Sequence, residues 1–350
     1  MGGLLIVTHI IGHIEACSPD HAVSEWLSEA DSLLQTNPSA ALNSLAKIDV
    51  HALNEKEKAY YGLIQTIALH KTHIPFKNDS LITAARSWYG RWGRDPYNLA
   101  RASFYNGVVV HSLGLGEENA CKLMRQSLQI LDENNIQDDK LEALTNAFLG
   151  RINSRAEQNL AEALSYFKKA VKAEQNLNNP RNLILDYCDL MVCLVKMGEE
   201  EEAESVKDAL DSLIADNHSI KLENLNNAKA LYYLYADQNP DSTLFYCKKW
   251  NPHPNDIGAK FYQLAGIYRQ KGLLDSAVMY EKASLAHRRP VDTMSYHIYY
   301  RHLADDYGPP GVQQCLEGGG TAEFLPRPGC RPGRHHPLSV RHRPLLLRVR

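Results

Sequence analysis

The chain has 350 residues, 44% of them hydrophobic and 23% charged, with a formal net charge of −3. This length supports a buried core and one to three domains, and the composition excludes a disordered chain. The small negative charge gives no electrostatic reason for nucleic acid to be the main partner.

Residues 4–14 read LLIVTHIIGHI and lead into Glu15-Ala16-Cys17. An apolar run of about eleven residues is too short for a permanent membrane span and suits the core of a signal peptide. The segment resembles a bacterial lipoprotein signal. That resemblance assigns residues 1–17 to a signal segment and implies that Cys17 becomes a lipidated first residue. It places the protein at the bacterial cell envelope, with a cytoplasmic N-terminus as the alternative. The only membrane contact expected is this lipid anchor at Cys17.

Helical patterns then follow in pairs. Val23–Leu34 pairs with Ser39–Ile48 across Asn37-Pro38, and Lys58–Leu69 with Asp79–Tyr89. The stretch from Ala100 to Gly107 opens a helix that Gly114 and Gly116 break, and Ala120–Leu128 is its partner. Leu141–Ile152 pairs with Leu160–Val171, which carries Ala163, Phe167 and Ala170 and closes at Asn178-Asn179-Pro180. Leu183–Met197 and Glu201–Ile214 flank Gly198, and Leu222–Tyr235 precedes Asp241–Lys248 across Asn239-Pro240. The clearest unit spans Ala259–Pro290. Phe261, Leu264, Ala265 and Tyr268 share one helical face, Gly272 breaks the helix, and Ala277, Tyr280 and Ala283 follow on a second.

At these residues the chain resembles the tetratricopeptide family, which repeats a bulky residue, Leu-Gly/Ala and Tyr on a first helix and a small residue with an aromatic on a second. Tyr280 falls one residue early, with Glu281 where the aromatic is usual. The units recur at intervals of about 35–40 residues, the spacing of a helical repeat. The resemblance implies an all-α solenoid of antiparallel helix pairs over residues 22–307, with first helices lining a concave groove. A single pair cannot bury its own apolar face, so neighbouring pairs stack. Asp31 to Leu42 (DSLLQTNPSAAL) and the Tyr60–Leu63 segment YYGL further resemble envelope tetratricopeptide proteins of the Bacteroidetes, some of which continue into a regulator's effector module.

A last first helix is expected at Ser295–Tyr307, where Leu303, Ala304 and Tyr307 repeat the spacing of Leu264, Ala265 and Tyr268. Its partner is missing. Residues 308–350 hold seven Pro, seven Gly and seven Arg but no Lys, which forbids regular helix and reads as a disordered tail from a shifted reading frame. Tyr296, Ile298, Tyr299 and Leu303 would then lack a covering helix.

No glycine-rich phosphate loop, G-x-S-x-G or H-E-x-x-H occurs, so no enzyme, cofactor or metal is expected. The seven cysteines include no C-x-x-C; Cys121, Cys188, Cys193 and Cys247 lie in helical patterns and read as buried thiols, apart from Cys17, Cys315 and Cys330. His70 and His73, on the turn from Leu69 to Pro75, read as satisfied surface or core residues, Glu199–Glu202 as a helix start, and Trp88 and Trp92 as packing between repeats. The expected function is a protein or peptide scaffold, with the sensor half of a signalling regulator as the alternative. Candidate groove residues are the polar and aromatic positions of first helices: Tyr105, Asn106, Asn146, Asn153, Asn227, Tyr262 and Arg269. Their amides would clamp a peptide backbone and their rings would grip its side chains.

Overall fold

The computed structural model describes residues 19–155, 159–217, 220, 223–252 and 257–287. The signal segment with Cys17, the expected helix at Ser295–Tyr307 and the tail from Gly308 lie outside these residues. Fourteen α-helices and no strand occur among the described residues. They are α1 (Pro19–Leu33), α2 (Pro38–Leu45), α3 (Glu55–Lys71), α4 (Ser80–Trp88), α5 (Pro96–Ser112), α6 (Glu117–Glu133) and α7 (Asp139–Asn153). Then come α8 (Leu160–Asn176), α9 (Pro180–Met197), α10 (Glu200–Asp216), α11 (Glu223–Tyr235), α12 (Pro240–Lys249), α13 (Ile257–Gln270) and α14 (Leu274–Ala286). The arrangement is a helical-repeat fold of the tetratricopeptide type, built of sequential antiparallel pairs.

The helix starts are written in the sequence. Four helices begin at Asn-Pro or Asp-Pro: Asn37, Asp95, Asn179 and Asn239 each accept a hydrogen bond from the backbone N–H three residues on, with proline in the first turn. The proline lacks only an N–H that would be orphaned anyway, and its fixed φ suits a helix. Asn54 and Glu57 form a reciprocal capping box at α3. Gly198 ends α9 at φ 78°, in the left-handed region that favours glycine.

Pairing rests on small residues set against large ones. A Cβ on Gly150 of α7 would lie 2.6 Å from ring carbons of Phe167 of α8, and one on Gly107 would lie 2.8 Å from the Met124 side chain of α6. Phe167 and Phe104 are among the largest fully buried side chains. Cys121, Cys188, Cys193 and Cys247 are buried.

The chain divides into two compact units, one ending at Ala228 and one beginning at Lys229. In the first, a continuous apolar core runs from Leu27 to Ile152. In the second, Ala230, Leu234, Cys247, Leu264 and Ile267 form the core, with Phe261, Tyr268 and Tyr280 packed against it. Tyr280 stacks on Tyr268 with ring centroids 5.2 Å apart.

Trp88 packs on the core and edge-on to Tyr89, as expected for a residue between repeats. Trp92 departs from that expectation and is 69% exposed. The backbone widens into a π-turn at Tyr89–Gly93 and bends at Arg94 (φ 42°), which carries Trp92 clear of the core.

Candidate functional site

Within the first unit, side chains of successive first helices meet on one face. Tyr60 of α3 donates its hydroxyl to Asp31 of α1 at 2.7 Å. Arg101 of α5 donates to both oxygens of the same carboxylate, at 2.6 and 3.2 Å, and to Asn98 Oδ1 at 3.0 Å. Tyr97 lies under the guanidinium, 5.5 Å from ring centre to Cζ. Burial works against ionisation of Asp31, but its bonds from Arg101 outweigh that and hold the carboxyl below its usual range.

Beside this latch, Lys71 at the end of α3 donates to Gln35 Oε1 at 2.7 Å. Lys140, in the first turn of α7, donates to the same oxygen. Packed helices lie about 8–10 Å apart, so α1 and α7 would be out of side-chain reach in a straight stack. The shared Gln35 contact therefore requires the first helices to curl, and the face they share is the inner one. Burial, with the charges of Lys140 and Arg101 nearby, pushes the Lys71 ammonium down to about 8.

An aromatic patch follows. His70 packs on Tyr105 and Phe148, each at 5.8 Å, and Phe148 packs edge-on to Phe104 at 5.5 Å. Burial drives the His70 imidazole down to about 4, so it is neutral at physiological pH. Beyond it Arg151 of α7 lies over the Phe148 ring at 5.9 Å and donates through Nε to Asp189 of α9 at 2.6 Å. Asp186 sits 4.0 Å from the same guanidinium. Burial raises its carboxyl to about 7 despite the attraction of Arg151, with Asp189 and Glu174 adding repulsion.

The expected groove residues are placed differently. Tyr105 is on the inner face but only 5% exposed, wedged beside His70. Asn106 points at α4, where Thr83 donates to it at 3.5 Å. Asn146 and Asn153 turn their amide nitrogens back to the carbonyls of Glu142 and Leu149. All three asparagines are buried. On an α-helix each residue turns about 100°, so Asn146 stands about 200° from Phe148, on the side away from the inner face. Asn227, on α11, is half-buried in the first unit. Tyr262 and Arg269 belong to the second unit, where Tyr262 shares a hydrogen bond with Tyr235 and Arg269 pairs with the buried Glu281. Within the first unit, Asn106, Asn146 and Asn153 therefore do not join Tyr105 on the inner face.

The residues that do converge are Asp31, Tyr60, Lys71, Arg101, Lys140, Arg151 and Asp189. Asp31 and Tyr60 lie in the segments DSLLQTNPSAAL and YYGL, but Asp31 meets Arg101 across 70 residues and no local spacing announces the contact. Among the described residues no group of three or more His, Cys, Asp or Glu is placed to hold a metal ion. Nor is any helix there long and apolar enough to cross a membrane.

No family model matches the chain, and no curated protein matches it. Solved structures do. The apo form of RapI aligns with a TM-score of 0.59 at 14% identity, covering 76% of this chain and 97% of that one. The apo form of the quorum sensor NprR from B. thuringiensis gives 0.58 at 13%, covering 86% of this chain and 85% of that one. The Rap conjugation gene regulator of the plasmid pLS20, in complex with the Phr* peptide, gives 0.53 at 17%, covering 82% and 73%. At such identities the likeness establishes the fold: a helical repeat of the tetratricopeptide type.

Proposed function

We propose that this chain is the sensor half of a signalling regulator and that its inner face binds a peptide. One observation carries the reading. Charged and aromatic side chains from α1, α3, α5, α7 and α9 converge on a single curved face. A fold of this type holds the Phr* peptide in the pLS20 regulator. Arg151 is the cation best placed to meet a peptide carboxylate, because its side chain is 41% exposed while Arg101 is only 12% exposed. The Asp31–Arg101–Tyr60 latch ties α1, α3 and α5 together. A peptide that bound the open and closed forms of this latch with different affinities would shift their populations, which is the physical requirement for a sensor.

The test is to identify peptides that co-purify with the full chain, synthesise them and titrate them back. Micromolar binding that falls about tenfold or more in Arg151→Glu, with helical content unchanged, is the expected result. The absence of any retained peptide, or equal affinity in the variant, would refute it.

The apolar run at residues 4–14 before Cys17 favours a second reading, an envelope-anchored scaffold. Incorporation of labelled palmitate that disappears in Cys17→Ser would support it. Absence of label in the unaltered chain would reject it.

A further inference from the structure

The outer side of α7 carries a feature that neither packing nor the inner face explains. A cleft of about 760 Å³ opens where α6, α7 and α8 meet, and Asn146 lines it. That volume is typical of a small-ligand site. Asn146 is 1% exposed. Its amide nitrogen is satisfied by Glu142 O at 2.9 Å, but its Oδ1 is buried and accepts no hydrogen bond. A buried acceptor left unmade costs about 1–3 kcal/mol. Asparagine in a helix interior is itself unfavourable, since its side chain competes for backbone groups. Alanine has the higher helix propensity at such a position, so the oxygen is suited to a donor that arrives from outside.

The charges around the cleft say what kind of donor. Asp132 of α6 and Glu142 of α7 line the cleft from two of its helices, and Lys169 and Lys172 line it from the third, α8. None of the four has an ion-pair partner within 4.0 Å among the described residues. Its apolar lining includes Leu128, Leu131 and Ile136. A matching ligand has a cation at one end, an apolar middle with an N–H, and an anion at the other end. We propose that this cleft binds a short peptide with free termini: its ammonium at Asp132 and Glu142, a backbone N–H donated to Asn146 Oδ1, and its carboxylate at Lys169 and Lys172. The site is distinct from the inner face and does not depend on a peptide binding there.

The tripeptide Ala-Leu-Ala tests this, because its only charges are its termini. Isothermal titration into the full chain at low salt is expected to give saturable binding. Acetylating the N-terminus and amidating the C-terminus should weaken it about tenfold or more, as should Asn146→Leu. Should Asn146→Leu not fold, as judged by its thermal melt, the exposed variants Asp132→Lys and Lys172→Glu carry the test, each expected to weaken binding. Arg151→Glu, on the inner face, should leave it unchanged. No saturable heat, equal affinity for free and capped peptide, or loss in Arg151→Glu with none in Asp132→Lys would overturn the proposal. The inner-face reading would survive each of these outcomes.

Discussion

Two helix pairs of the same design solve the same packing problem in different ways. In α8, Ala163, Phe167 and Ala170 face α7, and the Phe167 ring fills the space that Gly150 leaves. In α14 the residues at the same spacing are Ala277, Glu281 and Ser284, all fully buried. There a carboxylate stands where the other pair has an aromatic ring, and Arg269 of α13 reaches across to pair with it. The aromatic role passes to Tyr280, which stacks on Tyr268. The same backbone thus accepts an apolar plug or an ionic one. The ionic one depends on a partner, because removing one half of a buried pair strands the other charge.

The largest expected effect tests that dependence. Arg269→Met leaves Glu281 buried without its guanidinium and should destabilise the second unit by about 3–5 kcal/mol in a denaturant titration. The double variant Arg269→Met with Glu281→Phe should recover most of that loss, since replacing a buried pair by apolar residues is often neutral or better. If the double variant is no more stable than Arg269→Met, the two plugs are not equivalent. Phe167→Ala should cost the first unit a similar amount, about 3–5 kcal/mol, through the cavity it opens. Gly150→Ala should cost less, about 1–3 kcal/mol, because its Cβ collides with the ring and forces a shift. A Gly150→Ala variant as stable as the parent would show that the α7–α8 contact is looser than its geometry indicates.

Smaller effects separate the first unit's buried ionisable groups. Asp186 has its carboxyl raised to about 7, so the folded state holds its proton more tightly than the unfolded state. It therefore costs stability progressively as pH rises from the ordinary aspartate range to about 7. His70, lowered to about 4, has the opposite effect. Its stabilisation is complete above the ordinary histidine range and is lost as pH falls from there toward 4. Asp186→Asn should be more stable than the parent at pH 8 and should uncover the His70 slope below pH 6.5 in thermal melts. A pH profile unchanged by Asp186→Asn would contradict the assignment. Smallest of all is the Lys271–Asp241 pair, whose aspartate side chain is 90% exposed. Lys271→Ala should leave the melting curve unchanged, because exposed pairs are screened by water and salt.

Most of the fold was legible in the sequence. Asn-Pro and Asp-Pro junctions, glycine breaks and apolar spacing marked the described helices to within a few residues, and the Ala–Phe–Ala spacing marked where α8 faces α7; in α14 the expected face of Ala277, Tyr280 and Ala283 was displaced, since Glu281 and Ser284 are the buried residues there. These signals are local, because a cap bonds three residues away and a helical face repeats every three or four. The candidate site was much less legible. The structure does bring side chains of first helices together on one face of the first unit, but not the side chains expected there. Asn106, Asn146 and Asn153 are polar residues on first helices, as expected of a groove, yet all three are buried away from the inner face.

The sequence by itself determined that this protein is built of helix pairs and, among the described residues, roughly where each helix begins and ends. Only the tertiary structure decided how tightly the first unit curls and which residues that curl brings together. Arg101 meets Asp31 across 70 positions, and Lys140 meets Gln35 across 105. Those contacts depend on the summed small rotations between successive pairs, set by how each glycine or alanine fits the side chain opposite. No spacing within one repeat contains that sum.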